Sequence, residues 1–528
     1  MVYYTRWWYF TCTGLLLVLL VSGSRAEVSV NLPLDDPAYP LLDKLVTSNL
    51  TFTNALTVKP ITRLYAARLI AEAIERRRHE LDTAQRQEPF LDEILEYLTG
   101  HFKRELQEVG FLYRPRRAEA VFVAPVAEVK LDTVFAGNQF VLRDSSGLTP
   151  NLQGVFGLNE GFAYGDDFTL RLRSVSWMTL VNHFAAYLEP EVMVRSNPLV
   201  GDTFEAGLHK GYLKADFVNL ELAFGRDTLF WGPASQGDLV ISNNAPPFNL
   251  VKFTTPQPFR LPGPYHDLGE WQIAYFVARL EAQREFPHAL LSGFRVTYQP
   301  ATLVKFGYTN AFQAFGSGGV SLNPGEYLEK IFVPTLNTSG RTVNGLVAYD
   351  VVLSVPFIRA LRFLQGLKLY WQRGQDNVRN IQGVLGGGNI LGGVVEGGRW
   401  DVRFEFVETR DAGSVWYTHP TYSSGFAFQQ FVLGHPIGGA AQGFFGRATY
   451  YLTPTAWIAA DGRHEQYGFE TRPALTTQQR FGLEASYQFP WQQRYLTLRG
   501  RLEYATLEEP GAASEHAVNF QLSTRWRF

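Results

Sequence analysis

VNFQLSTRWRF, residues 518–528, closes the chain on a two-residue period. Val518, Phe520, Leu522, Trp526 and Phe528 share one parity; Asn519, Gln521, Ser523, Arg525 and Arg527 share the other. Successive side chains of a strand point to opposite faces, so this is a strand with one aromatic, apolar face and one polar, cationic face. The last residues of a soluble domain usually fray. The expectation here is a strand held by a neighbour, with Trp526 and Phe528 at a lipid interface and Asn519, Gln521, Arg525 and Arg527 turned to a lumen.

The same period runs through the chain from about residue 118. Leu170 and Leu172 alternate with Arg171 and Arg173; Val218, Leu220, Leu222 and Phe224 with Asn219 and Glu221; Phe294, Val296 and Tyr298 with Arg295 and Thr297; Phe481, Leu483 and Ala485 with Arg480 and Glu484; Leu498 and Leu502 with Arg499 and Arg501. In a soluble sandwich the apolar face is core and the charged face meets bulk water. In a membrane barrel the apolar face meets lipid and the charged face lines a wet or plugged lumen. The aromatic share of 14% beside a charged share of 19% favours the barrel.

The first 26 residues support it. Arg6 precedes an apolar stretch from Gly14 to Val21 and small residues at Ser24 and Ala26, the pattern of a secretory signal cut after Ala26. The only cysteine, Cys12, lies inside that segment, so no disulfide is expected to staple the exported chain. No other stretch reaches the roughly 18 consecutive apolar residues of a membrane-crossing helix. Residues 119–528, at about 20 residues per tilted strand and connection, give about 16 to 20 strands; we expect eighteen, in an antiparallel barrel.

Residues 27–118 read differently, with a period near 3.6. Pro40 can open a short helix through Leu41, Leu42, Leu45 and Val46; Thr62 can cap one carrying Leu64, Ala67, Ala71 and Ile74; Pro89 can open one carrying Leu91, Leu95, Leu98 and Phe102 that ends at Gly110. Each apolar stripe is narrow, so this small bundle is expected to lean on something larger. The basic runs Arg76–Arg78 and Arg114–Arg117 could touch anionic lipid or polysaccharide, although a charge run is usually a solvated helix face.

The densest stretch is GRDTLFWGPASQGDLVISNNAPPFNLVKF, 225–253, where alternation lapses. Irregular backbone in a barrel is tolerated where it is buried in protein or borders water, so this stretch should fold into the lumen or over a mouth. Arg226, Phe230, Trp231, Asn243 and Asn244 supply the aromatic faces, planar amides and guanidinium that glycan binding needs. The alternative is that they lock the loop against the wall, with the asparagines in turns and the tryptophan as packing.

The run Trp231-Gly232-Pro233, followed by Leu239 to Ile241 and then Ser242-Asn243-Asn244-Ala245 with Pro247, is similar to the signature of the capsule-assembly Wzi family. Gly225, Arg226 and Asp227 resemble that family's approach to the turn; Pro246 stands where a basic residue is expected. The resemblance implies an eighteen-stranded outer-membrane barrel with a periplasmic helical bundle against its base. It also implies a non-enzymatic, lectin-like anchor that organises capsular or other extracellular polysaccharide; the candidate ligand contacts read from the residues of the run are Arg226, Asp227, Trp231, Asn243 and Asn244. The implied partners are that polysaccharide, outer-membrane lipid and, through the terminal aromatic, the barrel-assembly machinery.

Other chemistry finds little support. The glycine-rich segment 383–398 lacks the Gly-Lys-Ser/Thr ending of a phosphate loop and lies between strands. His464-Glu465 lacks the second histidine of a zinc-protease helix, and no metal or cofactor is expected. A formal net charge of −2 gives no nucleic-acid signature. The competing readings are a porin for sugars or anionic solutes, suggested by Arg171, Arg173, Arg499 and Arg501 on the polar face, and a barrel hydrolase, for which no local signature exists.

Overall fold

The structure is a computed structural model describing residues 28–52, 56–82, 88–113, 121–137, 142–143, 150–151, 158–181, 183–198, 201–332, 343–356, 358, 361, 363–376, 387–411, 414–469, 475–491 and 494–528. The proposed secretory segment, 1–26, lies outside them.

Eighteen strands form one closed antiparallel barrel. They are β1 (Val121–Ala136), β2 (Thr169–Leu180), β3 (Phe184–Arg195), β4 (Phe204–Phe217), β5 (Leu220–Asp227), β6 (Phe248–Thr254), β7 (Glu270–Arg279), β8 (Leu290–Ala301), β9 (Val304–Ala314), β10 (Asn344–Ser354), β11 (Gly366–Asp376), β12 (Asn389–Glu396), β13 (Trp400–Glu408), β14 (Ala441–Thr453), β15 (Ala456–Tyr467), β16 (Thr476–Trp491), β17 (Arg494–Glu508) and β18 (Glu515–Arg527). Each pairs with its sequence neighbours, and β18 returns to β1 with Trp526 opposite Val129 and Phe520 opposite Phe135. Closure leaves no unpaired edge for lipid to meet.

Burial along the strands is inverted relative to a soluble protein. On β5, Leu222 is 38% and Phe224 65% exposed, while Glu221 is 1% and Ala223 3% exposed. Val518, Phe520, Leu522, Trp526 and Phe528 of the terminal strand all face outward and are exposed, whereas Asn519 and Ser523 are buried inside. Charged residues fill the interior as pairs: Arg295 grips Asp350 through two hydrogen bonds of 2.7 and 3.1 Å, both side chains fully buried. Such a wall is stable only against a solvent as apolar as itself, which excludes the sandwich and makes this a membrane-spanning barrel. No described helix is long and apolar enough to cross a membrane.

One strand boundary differs from the periodic reading. Val218 and Asn219 continue the alternation in sequence but form the two-residue turn between β4 and β5, with φ of 53° and 66°. A two-residue hairpin needs positive φ at both positions to match strand twist. Asn219 is held there by donating to the Gln257 carbonyl at 2.9 Å.

Four helices precede the barrel: α1 (Ala38–Thr47), α2 (Arg63–Asp82), α3 (Pro89–His101) and α4 (Lys103–Glu108). α1 starts ahead of Pro40, with Pro37 at its N-cap. The Thr62 hydroxyl caps α2 by accepting the Tyr65 amide at 3.1 Å. The stripe begun at Pro89 breaks at Phe102 instead of running to Gly110. Leu41, Leu45, Ile70, Leu91, Leu98 and Phe102 form a core that Tyr451 of β14 joins from the barrel. The helices therefore pack on the barrel end that carries short turns such as 218–219, 302–303 and 454–455, opposite the long connections 228–247 and 409–440. A further helix, α5 (Pro324–Phe332), follows β9.

Candidate functional site

The lumen is filled from both ends. From the long-loop end, 228–247 folds inward against a second inward stretch, 416–437. Trp231, Leu239, Val240, Ile241, Trp416, Phe426 and Leu433 are at most 1% exposed and share one apolar cluster with the inner wall. Polar groups fix the register between the two stretches. Ser242 donates its amide to the Leu433 carbonyl at 2.8 Å and its hydroxyl to that of Gly434 at 2.5 Å; Asn244 donates to the Val432 carbonyl at 2.9 Å; Tyr417 donates to the Leu239 carbonyl at 2.8 Å. The wall contributes Glu405, which accepts the Ser235 amide at 2.9 Å, and Gln372, which accepts the Leu239 amide at 3.0 Å.

The Trp-Gly-Pro turn joins this plug to the helical region. Trp231 pairs with Val58 in a short ribbon, and Gly232 donates its amide to the Thr57 carbonyl at 2.9 Å. Gly232 has φ 151°, and a Cβ there would stand 1.4 Å from a carboxylate oxygen of Asp238, so no other residue fits the turn as it is packed. Burial pushes the Asp238 carboxyl up to about 8, against the pull of Arg295. An unfolded aspartate titrates near ~3.9. The folded plug therefore holds an extra proton between those values, and its stability falls as pH rises from about 4 to about 8. The thermal transition should drop more steeply over that range in the wild type than in Asp238→Asn; equal slopes would refute the assignment.

From the short-turn end, the N-terminal region is tied to the wall by buried charges. Asp35 meets Arg525 at 2.9 Å, Lys130 at 3.1 Å and Arg173 at 3.7 Å. Burial alone would raise its pKa, but the Arg525, Lys130 and Arg173 charges together hold it well below the usual carboxylate range. Asp36 meets Arg527 at 2.8 Å, Asp43 meets Lys368 and Arg403, and Lys44 pairs with Glu396. The polar face of the terminal strand thus serves as the socket for the segment before α1.

Between the two fillings lies a chamber of about 480 Å³. Its wall includes Lys59, Phe230, Gln236, Asn243, Trp457 and Arg463. The carboxylates lining it are in ion pairs, as are Arg171 with Glu191 (2.7 Å), Arg173 with Asp132 (2.9 Å), Arg501 with Asp461 (2.6 Å) and Arg499 with Glu484. Lys59 forms no ion pair among the described residues; its ammonium sits 5.2 Å from the Phe230 ring centre and 5.6 Å from that of Tyr39, and burial pushes its pKa down to about 8.

The sequence-derived candidates separate by position. Trp231 is fully buried, its ring edge-on to Phe276 at 5.1 Å. Asn244 is consumed in the plug and Asp227 accepts from Asn31 at 2.7 Å, tying β5 to the N-terminal segment. Arg226 lies on the outward parity of β5, its Nε donating to the Pro247 carbonyl at 3.0 Å. Asn243 lines the chamber, as does Phe230; the Asn243 side-chain amide makes no hydrogen bond among the described residues. The sequence reading passed over 416–437, although it carries the same signal as 225–253: a long lapse of alternation rich in aromatics and glycine. It also passed over Asp35 and Asp36, whose partners lie hundreds of residues away. No group of three or more metal-ligating side chains occurs among the described residues.

A lipid-faced barrel closed on itself and filled from both ends defines the class: a plugged β-barrel of the outer-membrane type. The family model described as capsule assembly protein Wzi matches residues 136–522, and the chain belongs to that family. Among solved structures the chain is similar to Wzi of Escherichia coli, described as an outer-membrane, carbohydrate-binding barrel involved in group 1 capsule assembly. The two share 16% identity over 95% of this chain and 100% of that one, with a TM-score of 0.67. OccAB2 of Acinetobacter baumannii (10% identity, 79% and 100% coverage, TM-score 0.46) and OccK2 of Pseudomonas aeruginosa, solved with glucuronate (10%, 78% and 99%, 0.46), are more distant. No curated protein sequence matches the chain significantly.

Proposed function

We propose that this protein is a non-enzymatic outer-membrane anchor that binds and organises capsular or other surface polysaccharide at the cell exterior, with its helical region in the periplasm. The observation that carries the reading is the double filling of the lumen. A barrel whose interior is an apolar plug above and an ion-paired helical base below is built to hold a surface still. The carbohydrate-binding description of its structural relative and its membership of a capsule-assembly family point the same way. Short turns on the helical side and long connections on the other are the usual division between periplasm and exterior.

Within the 225–253 run the residues divide into two roles. Trp231, Asn244 and Asp227 position the plug beneath the outer loops. Asn243 lines the chamber beside Phe230, Gln236 and Lys59, beneath the plug and out of reach of surface polysaccharide; Arg226 faces the membrane side. The porin reading loses its motive, since the four lumen arginines that suggested it are each neutralised by a carboxylate.

Deleting the gene in a capsulated host should shift polysaccharide from the cell-bound to the released fraction, and unchanged retention would sink the proposal. In a planar bilayer the purified barrel should give no steady current; a stable open-pore conductance would revive the porin.

A further inference from the structure

On the barrel's outer wall, one patch breaks the rule that lipid-facing positions are apolar. Strand parity turns Ser292 of β8 and Asn310 of β9 outward, alongside Phe294, Phe312 and Val347. Yet Ser292, Asn310 and Phe312 are each 1% exposed. They are covered by α5, which lies across the outside of the barrel.

The docking is specific. The Tyr327 hydroxyl lies 2.6 Å from that of Ser292 and 2.7 Å from that of Tyr275. Asn310 donates to the carbonyls of Lys330 and Ile331 at 2.8 and 2.7 Å, and Tyr308 donates to that of Phe332 at 2.8 Å. These are carbonyls of the last turn, which an isolated helix leaves without partners. The first turn is capped by its own residues: Asn323 and Glu326 exchange side-chain-to-amide bonds of 2.9 Å in both directions. Phe332 packs edge-on to Phe294 at 5.2 Å and Tyr327 to Phe312 at 5.6 Å.

Height on the wall identifies the solvent around this helix. Trp271, Tyr298 and Phe306 stack at 4.4 and 6.4 Å near the short-turn end and mark one interfacial girdle. Strands rise about 3.3 Å per residue and tilt about 40°, so Asn310 and Phe312 stand roughly 10 to 15 Å above Phe306. The apolar band of such barrels is about 25 Å tall. The helix therefore crosses the wall near the middle of that band, while Leu328 (45% exposed) points away from the barrel and Phe332 (41%), beside Phe294, keeps its outer side uncovered. Its outward face continues the exposed apolar wall of Phe306 and Tyr349.

The geometry points to α5 as a lipid-immersed helix on the outside of the barrel. Its inner face satisfies a polar patch that lipid could not, and its exposed apolar side chains, Leu328 and Phe332, take acyl chains near the middle of the band. This stands independently of polysaccharide binding.

Cys12 is the only native cysteine, so Leu328→Cys and Phe332→Cys in a Cys12→Ser background each give a single nitroxide site on the full-length protein in phosphatidylcholine bilayers. Both sites should be relaxed more by oxygen than by a water-soluble nickel complex, matching a Phe306→Cys control on the wall. A water-like profile matching a Tyr113→Cys control in the helical region would overturn the inference. As a second arm, replacing 321–332 by a glycine-serine linker should lower the thermal transition of the barrel. Adding Ser292→Val and Asn310→Val to that excised protein should bring it back up, and failure to recover would refute the covering role.

Discussion

Trp231→Ala should destabilise the folded barrel by about 3–5 kcal/mol, the usual cost of deleting a buried aromatic, seen as a lower temperature for the heat-induced mobility shift and a lower folded yield. Trp231 is fully buried, edge-on to Phe276, and its backbone joins two structures: it pairs with Val58 and donates to the Ile241 carbonyl at 3.0 Å. Removing the ring leaves a cavity at the junction of plug and helical base. Asn243→Ala should behave oppositely. Its side chain makes no hydrogen bond among the described residues, while its carbonyl, which accepts the Glu160 amide at 2.9 Å, survives the substitution. Stability should change by less than about 1 kcal/mol, and polysaccharide retention should stay at the wild-type level because the chamber lies beneath the plug. If Trp231→Ala leaves the transition in place and abolishes retention, tryptophan is a ligand contact and the division of roles is wrong.

Lys44→Ala should loosen the helical base by about 3–5 kcal/mol, because it strands Glu396 as a buried, uncompensated charge. Both side chains are at most 1% exposed, and Lys44 also donates to the Trp400 carbonyl at 3.2 Å and lies 5.4 Å from the Tyr451 ring centre. Limited proteolysis should then cut the helical region faster than in the wild type. Removing both charges together, as Lys44→Met with Glu396→Leu, should recover most of the loss, since an apolar pair of similar volume replaces a buried ion pair at little cost. A single variant as protease-resistant as wild type, or a double variant no better than the single, would show that this pair does not hold the base.

The two predictions concern different parts of the molecule, and the sequence revealed them unequally. The barrel wall was legible because a strand's side-chain parity is local: Val518 to Phe528 carry their inside and outside in their own order. Length limited the strands to about 16 to 20, a range that holds the eighteen found. The helical starts at Thr62 and Pro89 were legible for the same reason, as capping and ring geometry act within one turn. The exception, Val218 and Asn219, shows the limit of parity: a two-residue turn can preserve alternation while ending a strand.

The candidate site was legible as a place and illegible as a set of roles. A lapse of period inside a barrel marks backbone that must go into the lumen, which located 225–253. Whether a given side chain there meets a ligand or a neighbour depends on residues far away in the chain. Asn244 is held by Val432, Trp231 by Phe276, and Asp227 by Asn31; adjacent Asn243 faces the chamber. Likewise, Asn310 reads as a polar interruption of a lipid face until α5 is seen to accept its hydrogen bonds. Sequence alone determined the wall, because membrane and lumen impose their polarity residue by residue. Tertiary structure decided what fills the wall and what covers it, because buried polar groups are satisfied by whichever partner folding brings within hydrogen-bond reach.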